Sequence, residues 1–273
     1  MEQTLIQEGV QFGRLIKFWR QKRRLSQIDL ASMAGTTPRH MSFLETGRSR
    51  PKKELLQRLA RALSLGMRDT NALLVSAGLA PDYAEYELNA DPLKPYREAV
   101  DLVLKNHNPF PALAIDSVGA ILTVNEAFDR FLPGSMSQSR EDAIEAMFDP
   151  EGPIRDFIVN WEEMAWSWVD RQRLELLTSN NPRLGALVER AEKLLADVPR
   201  PEKPVSDPLG LVAPKFRFGD QIISVFTTLM RFENAADVTT SEVRVELMFP
   251  ADEASRLFFE NLAKNAGAFP VGE

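Results

Sequence analysis

Cysteine is missing altogether, and only 2 histidines occur among 273 residues. The first absence excludes disulfides, thiolate metal sites and a cysteine nucleophile. The second leaves His40 and His107, which stand in no metal-ligand spacing. The chain carries no G-x-S-x-G elbow, no phosphate-cradling glycine loop and no H-E-x-x-H helix. Acidic pairs such as Glu162-Glu163 are adjacent, so on a helix they point apart and read as solvated surface. No nucleophile or general base stands out, and no enzyme or obligatory cofactor is expected. No apolar run is long enough to span a bilayer, and no basic-then-apolar leader opens the chain. The expectation is a cytoplasmic protein with no membrane partner.

The net charge of -6 hides an asymmetry. Residues 1–68 hold 14 Lys and Arg against 5 Asp and Glu, a balance of +9, and the remainder holds 19 against 34, a balance of -15. A basic head on an acidic body concentrates the attraction for phosphate at one end.

Residues 1–9 show weak patterning and read as a flexible arm. From Val10 to Arg24, Phe12, Leu15, Ile16, Phe18 and Trp19 recur at helical spacing, with Arg20, Lys22, Arg23 and Arg24 adding basic charge near the end. Ser26 caps a second helix, with Asp29 in the capping-box position. After the Gly35-Thr36 turn, Thr37 caps a third helix with Pro38 at its first position, where a missing amide is harmless. Gly47 ends that helix, and two more follow to Gly78. The fold expected for 10–78 is an all-α bundle of about five helices. Residues 79–106 read as a linker and connecting helix, 107–250 as a second domain, and 251–273 as a C-terminal helix and tail.

In the second domain, Ala112–Asp116 and Ala120–Val124 flank Val118-Gly119, a hairpin signal. A helix follows from Glu126 to Leu132, residues 139–198 are mainly helical, and 199–214 hold five prolines in a long connection. Strands are expected at 216–218, 221–232 and 243–249. This order is α+β, with helices segregated against an antiparallel sheet.

Three features make the head a DNA reader rather than a plain bundle. The start of the third helix is polar at Thr37, Arg39, His40 and Ser42, whereas Met41 and Leu44 point inward. The loop from Gly47 to Lys53 is strongly basic, and the first helix adds further cations. Arg39 suits bidentate contact to guanine, with phosphate contact or solvent as its alternatives. His40 suits a base or phosphate contact, or an ordinary place on the surface. Glu45 reads as structural, paired to a nearby arginine, because a carboxylate buried beside DNA needs a partner.

The segment from Leu25-Ser26-Gln27 through Leu30-Ala31, Ala34-Gly35, Ser42, Glu45-Thr46-Gly47-Arg48, Pro51, Leu55, Leu59, Ala60 and Leu63 resembles the Xre/Cro-like helix-turn-helix family. The resemblance implies that Gln27 touches phosphate and braces a recognition residue. It implies that Thr37, Arg39, His40 and Ser42 read bases, and that Arg48 and Arg50 hold phosphate. Double-stranded DNA is the partner so implied. Two-fold pairing on a palindromic site would raise affinity and lengthen the readout, so a homodimer is expected.

The body is rich in large apolar residues: 13 of 16 phenylalanines lie beyond residue 100, as do 3 of 4 tryptophans. Trp161, Met164, Ala165 and Trp168 form a helical stripe that is either ordinary core or the wall of a cavity. Phe226, Met230 and Met248 on the late strands extend such a wall, and Asn125, Arg155 and Asn160 are its polar candidates. Asn108-Pro109-Phe110-Pro111-Ala112-Leu113, Val124-Asn125-Glu126-Ala127-Phe128, Met147-Phe148-Asp149 and Asn160-Trp161-Glu162 resemble the ligand-binding domain of MmyB-like transcription regulators, over about 95–250. That family joins an Xre-like head to a PAS-like sensory domain. The resemblance implies a small antiparallel sheet, helices over one face and a cavity between them. Aromatics and methionines in place of clustered charge point to an apolar or amphipathic ligand such as a fatty acid. Two other readings stay open at this point: a regulator whose body only dimerises, and a regulator fused to an enzyme.

Overall fold

A computed structural model describes residues 2–137, 139–201, 213–232 and 235–264. The chain forms two compact units. One comprises residues 1–86 with 175–180 and 236–238, and the other comprises 87–174, 181–235 and 239–273.

The first unit is a helical bundle of α1 (Glu2–Lys22), α2 (Gln27–Met33), α3 (Pro38–Glu45), α4 (Lys53–Ala62) and α5 (Met67–Ser76). The arm expected at 1–9 is instead the first part of α1. Helix-forming Glu2, Gln3, Leu5, Gln7 and Glu8 continue the helix, and no proline stops it. Ser26 and Asp29 close a capping box at α2, and Thr37 caps α3 by accepting from the His40 amide at 3.1 Å. The core gathers Phe12, Ile16, Trp19, Leu30, Met41, Leu44, Leu56 and Leu59, all at most 1% exposed. α1 crosses the end of α3 at Gly13. A Cβ there would lie 2.5 Å from the Glu45 carbonyl oxygen and 2.8 Å from that of Leu44, so only glycine allows this approach.

Part of the segment expected to be linker is fastened to this bundle. The Asn71 Oδ1 accepts from the amides of Asp82 and Tyr83, each at 3.0 Å, and Asn71 Nδ2 donates to the Tyr83 carbonyl at 2.7 Å. Asp82 also accepts from Gln57 and Lys53.

Beyond α5 the chain continues through α6 (Lys94–His107), β1 (Ala112–Ile115), β2 (Ile121–Val124), α7 (Glu126–Phe131), α8 (Arg140–Phe148), α9 (Pro153–Phe157), α10 (Trp161–Thr178) and α11 (Pro182–Leu194). It ends with β3 (Lys215–Phe218), β4 (Gln221–Arg231), α12 (Val238–Glu242), β5 (Arg244–Pro250) and α13 (Glu253–Lys264). Most of the proline-rich connection, at 202–212, and the tail at 265–273 lie outside the described residues. The five strands form one antiparallel sheet in the order β2-β1-β5-β4-β3, an α+β, PAS-like arrangement.

Alternation along β1 assigns the two faces of the sheet. Ala112 and Ala114 pack with Val100 and Leu104 of α6 and with Val245 of β5. Leu113 and Ile115 pack on the other face with Phe128 of α7, beside Met248. All four β1 residues are buried, as expected of a strand covered on both sides. The helices after β2 cover the face expected from a PAS-like domain, and α6 covers the opposite one. Gly119 turns the β1–β2 hairpin at φ 81°, a conformation that favours glycine, and a Cβ there would meet the Arg140 guanidinium at 2.8 Å.

Candidate functional site

Two regions carry the residues that sequence reasoning nominates: the α2–α3 surface of the head and the interior of the body.

In the head, local rules place the polar start of α3 outward. The Thr37 cap and Pro38 fix where the helix begins, and burial of Met41 and Leu44 fixes its rotation. Thr37 and Arg39 are then exposed, and His40 and Ser42 are partly buried. The Arg39 guanidinium lies 5.4 Å from the Phe43 ring centroid, a contact that limits its freedom without using its hydrogen-bond donors. His40 is less free than its position suggests. Its Nδ1 lies 3.0 Å from Thr36 Oγ1 and its Nε2 lies 3.2 Å from Ser49 Oγ. The ring thus ties the turn before α3 to the loop after it, and so brings the loop of Arg48 and Arg50 beside the first turn of α3. Ser42 contributes its carbonyl, which accepts from Thr46 Oγ1 at 2.8 Å.

Gln27, at the start of α2, donates through Nε2 to Glu45 Oε2 at 2.8 Å. Glu45 also accepts from Arg20, at 2.5 Å from Nε and 3.0 Å from Nη2. Arg20 is therefore the arginine expected beside Glu45, and it further donates to the Leu25 carbonyl at 2.8 Å. Burial alone would raise the Glu45 carboxyl. The hydrogen bonds from Arg20 and Gln27, with the charges of Arg20 and Lys17, outweigh burial and hold it below the ordinary glutamate value. Arg23 donates to the Leu63 carbonyl at 2.9 Å. Two of the four cations counted at the end of the first helix thus serve the bundle itself.

In the body, the nominated residues fall in several places. Asn125 caps α7: its Oδ1 accepts from the amides of Ala112 and Phe128, each at 2.9 Å. Its Nδ2 donates to the carbonyls of Phe110 at 2.8 Å and Leu104 at 3.2 Å. All four hydrogen-bonding positions of the amide are filled. Asn160 clasps the chain ahead of β3, donating to the Ala213 carbonyl at 2.9 Å and accepting from the Lys215 amide at 3.0 Å. Arg155 is exposed, pairs with Glu162 at 3.2 Å and lies over the Trp161 ring. Trp161 is 2% exposed and donates from Nε1 to the Met147 carbonyl at 2.7 Å. Trp168 packs on Phe148 at 5.0 Å between centroids, while Met164 is half-buried. The tryptophans of the stripe are core. The late-strand residues divide between the faces of the sheet. Phe226 stacks on Phe249, and Met230 packs toward α6. Met248, paired in register with Thr227, packs on the face of α7.

An apolar cavity of about 140 Å³ lies between α6 and the sheet. Its wall includes Leu93, Tyr96 and Val100 from the α6 side, Ala114 and Leu122 from the strands, and Phe232 beyond β4. None of the nine nominated ligand residues lines it. Asn125 borders a separate polar recess with Asp101, Asn108 and Glu126. The cavity arises where β1 presents alanine to α6, and missing side-chain volume is not a motif that sequence patterning marks.

The face of the sheet toward α7 holds charge that sequence reasoning did not single out. Burial pushes the Glu246 carboxyl up, against the opposing charges of Arg171, Arg140 and Arg244. Burial likewise pushes Arg140 down, and Glu246 and Asp116 oppose it. Arg140 donates from Nε to the Val118 carbonyl at 3.0 Å and lies over Trp168. In sequence, Arg140 reads as an ordinary helix-start cation.

Among the described residues, no helix is long and apolar enough to cross a membrane, and no group of three His, Cys, Asp or Glu could hold a metal ion.

Comparison with known proteins agrees with this geometry. Residues 16–69 match a helix-turn-helix family model. Residues 96–262 match the MmyB-like transcription regulator ligand binding domain. Both matched domains are regulatory rather than catalytic. Among curated proteins, none matches this chain. A similar solved chain is the crystal structure of the clp gene regulator ClgR from C. glutamicum. It is 24% identical over 26% of this chain and 88% of that one, and its TM-score of 0.23 is too low to bear on the fold. With its second domain spanning more than half of its length, the chain belongs to the MmyB-like transcription regulators, which join a helix-turn-helix head to a ligand-binding body.

Proposed function

We propose that the protein binds double-stranded DNA sequence-specifically as a homodimer, and that its body responds to a small apolar or amphipathic molecule. Arg39 reads a guanine edge from the first turn of α3, and Thr37 and Ser42 meet neighbouring bases. Arg48 and Arg50 position the helix on phosphate, and Gln27 adds a phosphate contact at the start of α2. His40 holds the recognition helix and its basic loop in one arrangement. The body carries no catalytic step. Its ligand alters the spacing or orientation of the paired heads, and the shift is limited to the ligand's differential affinity for the two forms.

The observation that carries the reading is the joining of α3 to its basic loop. The exposed polar turn at Thr37–Arg39 and the cations after Gly47 are held together by the Thr36–His40–Ser49 contacts. A structural helix pair has no need for that arrangement.

Selection of DNA from a random pool by the full-length protein tests it. Enrichment of a two-fold symmetric motif, bound with an affinity that falls steeply with salt, is the expected result. Salt-dependent binding without any enriched motif would reduce the head to a nonspecific cation. For the body, mass spectrometry of the organic extract from natively purified protein looks for a stoichiometric apolar compound, fatty acids included. That compound is then added to the DNA titration.

A further inference from the structure

We infer that the cavity beneath α6 is the effector site of the body, and that it takes a compact, neutral apolar group about the size of one aromatic ring. The inference rests on the reading that the body responds to a small ligand, and it names the site and the ligand class.

Size comes first. The cavity holds about 140 Å³. An apolar cavity of about 150 Å³ lined by Leu, Ile and Phe is enough to bind benzene. A long acyl chain needs more space than that. The walls agree with the size. Tyr96 and Phe232 meet edge to face at 5.2 Å between centroids and offer aromatic surface on one side. Val100 and Ala114, 7% and 1% exposed, close the floor. Among the described residues, the side-chain charges on the lining are Arg97 and Asp101, one of each sign. The site therefore offers a carboxylate no net attraction, and a fatty-acid head group gains nothing there.

Arg97 gives the cavity a wall that can report on occupancy. From its place on α6, Nη1 donates to the carbonyls of Leu88 at 2.8 Å and Ala90 at 2.7 Å. Those bonds fold residues 88–93 over the cavity, to which Leu88 and Leu93 contribute lining. This is the stretch through which the chain leaves the 1–86 unit. A ligand packed against Leu88 and Leu93 favours the form in which the stretch is closed, so occupancy acts on the connection to the head with no separate relay.

The test uses full-length protein with benzene and indole as compact probes and a twelve-carbon fatty acid as the long one. Binding is read by ligand-detected NMR and by thermal melting. Ala114→Leu fills the cavity from β1. Leu122→Phe fills it from the partly exposed β2, in case the first variant does not fold. Circular dichroism checks both. Saturable binding of benzene or indole that weakens at least tenfold in a folded variant supports the site. Unchanged probe binding in a folded variant overturns its location. Binding of the fatty acid alone, unaffected by the substitutions, overturns the ligand class while leaving a ligand-responsive regulator standing. If neither probe type binds and the extract holds no compound that shifts DNA affinity, both the site and the ligand-responsive reading fall.

Discussion

Replacing Glu45 by alanine should unfold the head far more readily than the loss of an ordinary surface charge. The Glu45 side chain is 3% exposed and that of Arg20 is 12% exposed, so the pair is largely withdrawn from water. Removing the carboxylate strips Arg20 of two hydrogen-bond acceptors and Gln27 of one. Deleting one partner of a buried pair costs about 3–5 kcal/mol, because the remaining charge stays buried and unpaired. In a domain of this size each kcal/mol lowers Tm by roughly 4–8 °C. Urea unfolding of the full chain, read by hydrogen exchange on peptides from α1 and α3, separates the head from the body. An Arg20→Ala/Glu45→Ala cycle should return a coupling of about 1–3 kcal/mol. Acidity should act through the same group. A carboxyl held below its unfolded value adds stability at pH above that unfolded value and loses it as pH falls through the folded one. The wild-type head should therefore weaken below the ordinary glutamate range, near about pH 4.3. In Glu45→Gln this part of the pH dependence should be absent. A cost under about 1 kcal/mol for Glu45→Ala, the range of exposed pairs, would refute the reasoning.

Gly13→Ala should destabilise the head by about 1–3 kcal/mol despite alanine's better helix propensity, since the new Cβ meets backbone oxygens that cannot step aside. A melt no worse than wild type would mean that α1 and α3 separate at little cost. Asn125→Ala should cost the body about 3–5 kcal/mol by removing the α7 cap and leaving the Ala112 amide and two carbonyls without partners, a loss measurable by urea titration. On a selected operator, Arg39→Ala should lose about 1–3 kcal/mol and relax the sequence requirement at one position of each half-site. Arg48→Ala should weaken binding to all sequences alike and lower the salt slope by about one per head, as read by titration at several salt concentrations.

The parts of the fold governed by local rules were legible in the sequence. Thr37 and Pro38 marked the start of α3 because a cap and a first-turn proline act within one turn. Gly119 marked the hairpin because few other residues adopt its φ. What depends on tertiary register was not legible. Phe226 and Met230, four residues apart on β4, share a face by alternation alone. Met248 joins the opposite face only because Thr227 is its partner, and that pairing is fixed across the whole sheet. Residues 79–86 looked like linker because nothing in their own pattern shows that Asn71, on another element, holds two of their amides. The Asn125 cap could have been read from the sequence. An asparagine at the close of a strand and three residues before Phe128 is an N-cap signal as much as a ligand contact.

Several polar residues nominated for recognition are already claimed by the fold. Asn125 and Asn160 sit at junctions where the chain changes direction, and there backbone groups lack partners within their own element, whereas the His40 ring joins two side-chain hydroxyls across such a junction. Short polar side chains at such junctions are drawn first to the orphaned amides and carbonyls, because leaving those groups unmet inside the fold costs more than a ligand contact returns. Under the proposed function, this leaves recognition in the head to side chains that project beyond the junctions, such as Arg39 and Arg48. In the body it leaves recognition to shape. The cavity proposed as the effector site is lined mainly by apolar side chains, so it would select a ligand by volume and apolar contact, and the small side chain of Ala114 helps to set that volume.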